Sequence, residues 1–66
     1  MVKNKLKEIR MVQYQISQKE FAKILGISVT TYNSIETNKV QGNIENILKI
    51  TKALNLKVDE IWYLED

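Results

Sequence analysis

Residues 17–28, SQKEFAKILGIS, decide the fold of this 66-residue chain. Ser17 is a favourable helix N-cap, and Glu20 completes a capping-box pattern, in which each side chain accepts from the other residue's backbone amide. The apolar residues that follow predict a helix. Gly26 ends it, because glycine adopts the left-handed conformation without a Cβ penalty. One residue later Ser28 can cap another helix, so two short helices are expected to meet steeply across a tight turn.

The rest of the chain predicts further helices around this pair. The expected helices cover about residues 3–12, 18–25, 29–37, 44–54 and 58–63. Asn38 and Asn55 are the expected left-handed terminators of the third and fourth helices, and Asn43 is the expected cap of the fourth. The apolar stripe predicted for the fourth helix consists of Ile44, Ile47, Leu48, Ile50 and Leu54. With no proline and no useful β alternation, the expectation is an all-α fold in one domain, residues 1–66.

Composition argues against several functional classes. The chain has neither cysteine nor histidine, which removes disulfides, thiol chemistry and the common zinc sites. No glycine-rich phosphate loop and no carboxylate pair in a pocket-forming context is visible. We therefore expect no enzyme, no metal and no cofactor. No apolar run approaches the roughly 18 residues of a membrane span, and the N-terminus lacks the pattern of a signal peptide, so we expect a cytoplasmic protein without a membrane partner.

The charge distribution is asymmetric, although the net charge is only +2. Residues 1–39 carry seven Lys or Arg against three Glu, whereas residues 40–66 carry three Lys against five acids. One half can therefore face a polyanion. Whether Lys3, Lys5 and Lys7 belong to that face or are merely solvated stays open at this point.

A pair of short helices across a glycine-bearing turn is a helix-turn-helix, whose second helix enters the DNA major groove. Residues 18–28, together with Ile35-Glu36 and with residues 48–55, LKITKALN, resemble the Cro/C1-type (XRE-family) helix-turn-helix domain. The likeness covers about residues 4–62. It implies a five-helix lambda-repressor-like DNA-binding domain. It also implies a bacterial or phage-encoded, nucleoid-associated transcriptional regulator, usually a repressor that binds a palindromic operator as a homodimer.

The resemblance also implies roles for individual residues. The positions expected to contact bases are Val29, Thr30, Thr31, Asn33 and Ser34. The positions expected to contact phosphate are Gln18, Ser28, Asn38 and Lys39, although Ser28 is first a helix cap. Arg10 and Glu36 match a pair that commonly ties the first helix to the end of the third. Tyr32 lies in phase with Ile35, which predicts a core residue rather than a base-stacking one.

Chemistry supports the base-reading assignment at one position in particular. Asn33 can bind adenine through N6 and N7, and the valine and threonine methyls can contact thymine. The third helix carries no Lys or Arg, so the commonest specific contact, arginine to guanine, is absent from it. We expect an operator read mainly through A·T pairs. The same uncharged helix keeps an alternative open: an antitoxin-like or regulator-binding module whose main ligand is another protein.

The C-terminal run Ile61-Trp62-Tyr63-Leu64 needs a separate explanation. Four bulky apolar residues from one short helix cannot all enter a small core, so a partner is expected to cover some of them. We expect Trp62, Tyr63 and Leu64 in a dimer interface. Two alternatives stay open: Trp62 caps the monomer core, or residues 1–3 pair as a strand with residues near 63–64. No small-molecule effector is evident.

Overall fold

The computed structural model describes residues 1–66 as five helices and a two-stranded antiparallel sheet. The elements in chain order are β1 (Val2–Asn4), α1 (Leu6–Glu8) continued by a π-helix (Ile9–Tyr14), α2 (Gln18–Leu25), α3 (Val29–Glu36), α4 (Ile44–Leu54), α5 (Val58–Ile61) and β2 (Trp62–Leu64). The predicted five-helix fold is confirmed, with a short β ribbon added to it. No helix is long and apolar enough to cross a bilayer.

The turn between α2 and α3 is formed by the predicted caps. Ser17 Oγ accepts from the Glu20 amide at 3.2 Å, and Ser28 Oγ accepts from the Thr31 amide at 3.1 Å. Gly26 has φ 76°, in the left-handed region. The capping box at Ser17 is only half formed, because the Glu20 carboxylate accepts from the Ser17 hydroxyl and not from its amide.

Asparagines end two of the other helices, as predicted. Asn38 has φ 64° and Asn55 has φ 54°, and both lie in the left-handed region. Asn43 caps α4 by accepting from the Asn46 amide at 2.8 Å, and the Asn46 side chain accepts from the Asn43 amide in return. Short polar side chains therefore fix where α3 and α4 begin and end.

The core lies where α1 and its π-helical continuation, α2, α3, α4, α5 and the start of β2 meet. Its aromatic centre is Phe21. The Phe21 and Tyr32 rings meet edge to face with their centroids 5.4 Å apart, and the centroids of the Phe21 and Tyr14 rings are 4.9 Å apart. The predicted stripe on α4 is wider than the face that is buried. Ile50 and Leu54 lie in the core, but Ile44 is 70% exposed and Leu48 58% exposed.

The predicted first helix is wrong at both ends. Its first two positions, Lys3 and Asn4, belong to β1, and the helical segment continues to Tyr14 instead of ending at about residue 12. The continuation is π-helical: the Gln15 amide donates to the Arg10 carbonyl at 2.6 Å, across five residues. The left-handed Gln15, with φ 55°, ends this wider turn before α2 begins.

The predicted last helix is also too long. The observed helix, α5, ends at Ile61, and the chain continues as β2. Val2 pairs with Leu64 and Asn4 with Trp62, so the strand pairing that the sequence left open is the observed one. The Lys5 amide also donates to the Ile61 carbonyl at 2.9 Å. Pairing with the N-terminal strand therefore satisfies backbone groups at the point where the helix stops.

Candidate nucleic-acid interface

The third helix is divided into a core face and an outward face. Tyr32, Ile35 and Glu36 are buried. The residues expected to contact bases lie on the other side: Val29 and Thr30 are exposed, and Thr31, Asn33 and Ser34 are half-buried. The N-terminal half of α3 therefore projects from the body of the protein while its other face is held in the core.

A buried carboxylate holds the inner face of α3. Arg10 Nε donates to Glu36 Oε1 at 2.8 Å, and the Tyr32 hydroxyl donates to the same oxygen at 2.7 Å. Arg10 Nη1 also donates to the carbonyl of Ile16 at 2.8 Å. The first helical segment, the connection to α2 and the end of α3 are thus joined through one guanidinium.

This arrangement keeps Glu36 ionised. Burial alone would raise the pKa of the Glu36 carboxyl, but hydrogen bonds from Arg10, Tyr32 and Gln18 outweigh burial and hold it below its ordinary value. The hydrogen bond to Glu36 in turn raises the pKa of the Arg10 guanidinium. Burial, aided by the bond to Glu36, raises the pKa of the Tyr32 hydroxyl, so that it stays a proton donor.

Two of the predicted contact residues, Gln18 and Asn33, lie side by side above this carboxylate. Gln18 Nε2 donates to Glu36 Oε2 at 2.5 Å, and Asn33 Nδ2 donates to Gln18 Oε1 at 3.2 Å. A residue in the first turn of α2 is thereby linked to the outward side of α3. The i, i+4 spacing of Tyr32 and Glu36 is visible in the sequence, but the polar role of Tyr32 was not predicted.

The other residues predicted to contact phosphate differ in which of their polar groups remain free to bind a ligand. Lys39 is exposed and forms neither of the two ion pairs of the chain. The Ser28 hydroxyl already donates to Thr31 Oγ1 at 2.9 Å. The backbone N–H of Asn38 donates to the Ile35 carbonyl, and its side-chain Oδ1 accepts from three donors. Only the Nδ2 group of Asn38 is left to donate to a ligand.

This geometry coincides with a family pattern. A family model described as helix-turn-helix (HTH_3) matches residues 6–61, which span all five helices. The chain belongs to this Cro/C1-type helix-turn-helix family. It is accordingly a DNA-binding helix-turn-helix protein of a family that regulates transcription.

Individual relatives agree with this assignment. The chain is 35% identical to an uncharacterized HTH-type transcriptional regulator of Methanocaldococcus jannaschii, over 98% of this chain and 97% of that protein. It is 34% identical to the control protein C.MunI of a Mycoplasma species, over 89% and 80%. It is 31% identical to the HTH-type regulator YgzD of Bacillus subtilis, over 98% and 97%.

In this helix-turn-helix protein, the loop after α3 is attached to the β ribbon. The buried Asn4 donates through Nδ2 to the Ile35 carbonyl and to Gln41 Oε1, both at 2.8 Å. Gln41 Oε1 also accepts from Trp62 Nε1 at 3.0 Å. Sequence reasoning missed Asn4 and Gln41, because no local pattern indicates a contact between residues 37 positions apart.

The three residues expected at a dimer interface fall into two groups. Trp62 is 6% exposed and lies in the monomer core, so it has little surface left for a partner. Tyr63 is 40% and Leu64 80% exposed. They line a shallow groove of about 370 Å³ together with Val2, Asp59 and the edge of Trp62. Lys5 Nζ lies 5.8 Å from the centre of the Tyr63 ring.

Proposed function

We propose that this chain is a sequence-specific repressor that binds a palindromic operator as a homodimer, acting in the cytoplasm at the nucleoid. The observation that carries the proposal is the orientation of α3. Its exposed N-terminal end, at Val29 and Thr30, projects outward, while Tyr32 and Ile35 fix its other face in the core. A helix held in this way can enter the major groove while α2 crosses the backbone.

The side chains of α3 favour A·T pairs. Asn33 offers the amide that binds adenine, and the methyl groups of Val29 and Thr30 fit against the thymine methyl. No cation on this helix can bind guanine bidentately. Base recognition would rest on neutral hydrogen bonds and methyl contacts.

Phosphate contacts would come from outside α3. Lys39 is exposed without an ion-pair partner, and the second N–H of Gln18 is free beside the start of α2. These few donors would give one copy limited affinity, since phosphate neutralisation supplies much of the binding free energy. A second copy doubles them.

The surface proposed for this second copy is the groove at the ribbon, lined by Val2, Asp59, Trp62, Tyr63 and Leu64. Its exposed apolar side chains at Val2, Tyr63 and Leu64 are of the kind that interfaces bury. In the proposed dimer the two recognition helices should lie about 34–36 Å apart, the distance between successive major grooves.

Selection of bound sites from random duplexes tests the proposal. The expected result is an A·T-rich palindrome whose half-sites lie about 10–10.5 bp apart. Titration of that duplex at several salt concentrations should give a log–log slope of about −0.9 for each phosphate contact. Placing the selected site over a promoter in a reporter strain should lower transcription when the protein is expressed.

The rival function is a protein-interaction module, which is favoured by the uncharged α3 and the net charge of only +2. It predicts no enriched palindrome and a flat response to salt. Either result would remove DNA as the main ligand.

The homodimer has a test of its own. Leu64→Asp places a charge in the proposed interface and should convert the dimer to monomer in sedimentation velocity runs. Leu48→Asp is the matched control, because Leu48 is a comparably exposed leucine on α4. Dissociation by the control alone would move the interface to α4.

A further inference from the structure

A chain of side-chain hydrogen bonds runs from the buried carboxylate of Glu36 to the surface of α3. Glu36 Oε2 accepts from Gln18 Nε2 at 2.5 Å, and Gln18 Oε1 accepts from Asn33 Nδ2 at 3.2 Å. Each link has only one chemically allowed direction. An ionised carboxylate can only accept, so Gln18 must present its nitrogen to it, and the remaining oxygen of Gln18 must then face a donor.

Neither amide can be reversed without a penalty. Reversal of Asn33 alone would set its oxygen against the oxygen of Gln18. Reversal of both would set the Gln18 oxygen against the carboxylate of Glu36. Each arrangement places two acceptors in contact in a partly buried setting, where an unsatisfied polar group is costly.

The carboxylate itself is also held in place. Its other oxygen accepts from Arg10 and from the Tyr32 hydroxyl, at 2.8 and 2.7 Å. It therefore cannot turn away from Gln18 without losing the hydrogen bonds from the Arg10 guanidinium and the Tyr32 hydroxyl. Because these donors hold the pKa of Glu36 below its ordinary value, the charge is present throughout the physiological pH range.

We infer that Glu36 is a specificity-determining positioning residue, whose carboxylate acts through Gln18 to fix the direction of the Asn33 amide toward the DNA. The inference rests on the proposed function, in which Asn33 reads a base. With one N–H of Asn33 bound to Gln18, the amide can present one N–H and its carbonyl oxygen. That pair matches N7 and N6 of adenine.

The same restriction acts against guanine. Guanine presents two acceptors, N7 and O6, in the major groove. A freely rotating asparagine could turn its NH₂ group toward both of them. With one N–H already bound to Gln18, this option is lost, and the carbonyl oxygen of Asn33 would face O6. The relay from Glu36 to Gln18 to Asn33 therefore discriminates adenine from guanine at one base pair.

The test compares dissociation constants for the selected operator and for the same operator with that A·T pair changed to G·C. The Asn33→Ala variant first identifies this base pair, as the position at which the base preference is relaxed. The wild-type protein should prefer A·T by about tenfold or more, the usual discrimination of a bidentate contact. In Glu36→Gln and in Gln18→Ala, the dissociation constants for the A·T and G·C operators should differ by no more than about threefold.

Glu45→Gln is the matched control. It makes the same exchange of a carboxylate for a neutral amide at an exposed glutamate, which pairs with Lys49 at 3.2 Å. Its overall affinity for DNA should rise slightly, because one repulsive charge is gone, but its A·T to G·C ratio should equal that of the wild type. Gln18→Ala leaves the Arg10–Glu36 pair intact, so it decides the question if Glu36→Gln fails to fold.

A second readout uses the free protein. In the ¹⁵N spectrum of the wild type, the two side-chain amide protons of Gln18 should have widely separated chemical shifts, and so should the two of Asn33. In both variants the chemical shifts of the Asn33 protons should move toward ordinary values. A wild-type ratio retained in both variants, with operator binding intact, overturns the relay. Failure of the proposed function looks different, because the wild-type protein would then select no site at all.

Discussion

Tyr32→Phe tests how much the buried carboxylate contributes to stability. The substitution removes one oxygen from a side chain with no exposed surface and keeps the ring that packs edge to face on Phe21. The hydroxyl donates at 2.7 Å to Glu36 Oε1. Hydrogen bonds to charged groups contribute about 1.5–3 kcal/mol. Because Arg10 still donates to the same oxygen, we expect a loss of about 2 kcal/mol in the free energy of unfolding.

Thermal and chemical unfolding followed by circular dichroism would measure this loss. For a domain of this size, 1 kcal/mol shifts Tm by about 4–8 °C, so Tyr32→Phe should lower Tm by roughly 8–16 °C. All variants must be compared at one protein concentration, because dimerisation makes Tm depend on concentration.

Tyr14→Phe is the matched control for this experiment. Tyr14 packs on the same Phe21, with ring centroids 4.9 Å apart, and its hydroxyl takes no part in the Glu36 network. Its removal should change the free energy of unfolding by no more than about 0.5 kcal/mol. Equal losses in the two variants would mean that the hydroxyl of Tyr32 contributes nothing through Glu36, and the reasoning about the network would be refuted.

Three further predictions concern acid stability and DNA binding. Because the folded protein holds the pKa of Glu36 below its ordinary value of 4.5, stability from this carboxylate should be complete above that ordinary value and be lost as the pH falls below it and through the lowered pKa of the folded state; a pH series of urea unfolding in wild type and Glu36→Gln should show the two curves converging in acid. Asn33→Ala should cost about 1–3 kcal/mol on the operator and relax the preference at one base pair; equal weakening on all duplexes would contradict the base-reading role. Lys39→Ala should weaken all duplexes alike and flatten the salt slope by about one contact, measured by anisotropy, whereas an unchanged slope would exclude the phosphate contact.

The parts of the fold that the sequence predicted well depend on local chemistry. Ser17, Gly26 and Ser28 each fix a helix end through groups no more than a few residues away. Such signals can be read from a short window, and they sufficed to place α2 and α3. The apolar stripe of α4 was less informative, because a sequence pattern gives the direction of a face but not how much of it a neighbour covers.

The β ribbon could not be predicted with the same certainty. Its strands have three residues each, too few for an alternation pattern, and they pair residues from opposite ends of the chain. The contacts around Asn4 and Gln41 escaped prediction for the same reason, since they join the ribbon to a residue far away in the sequence. The dimer contact expected at Trp62 stays a prediction, although the ribbon places most of its indole in the core, where Gln41 accepts from it.

In the proposed function, the lack of cations on α3 gives a role to the polar groups that lie beneath it. An arginine binds guanine through two parallel hydrogen bonds, which its charge strengthens. A neutral asparagine instead depends on presenting its donor and its acceptor in the right order. In the proposed function Asn33 therefore needs rigid support. The bonds from Gln18 and Glu36 supply it within the helix pair, and Asn4 holds the C-terminal end of α3 through the Ile35 carbonyl. Fully satisfied buried polar networks of this kind rigidify a structure and specify one arrangement among several, and in the proposed function a neutral reading helix requires that selection.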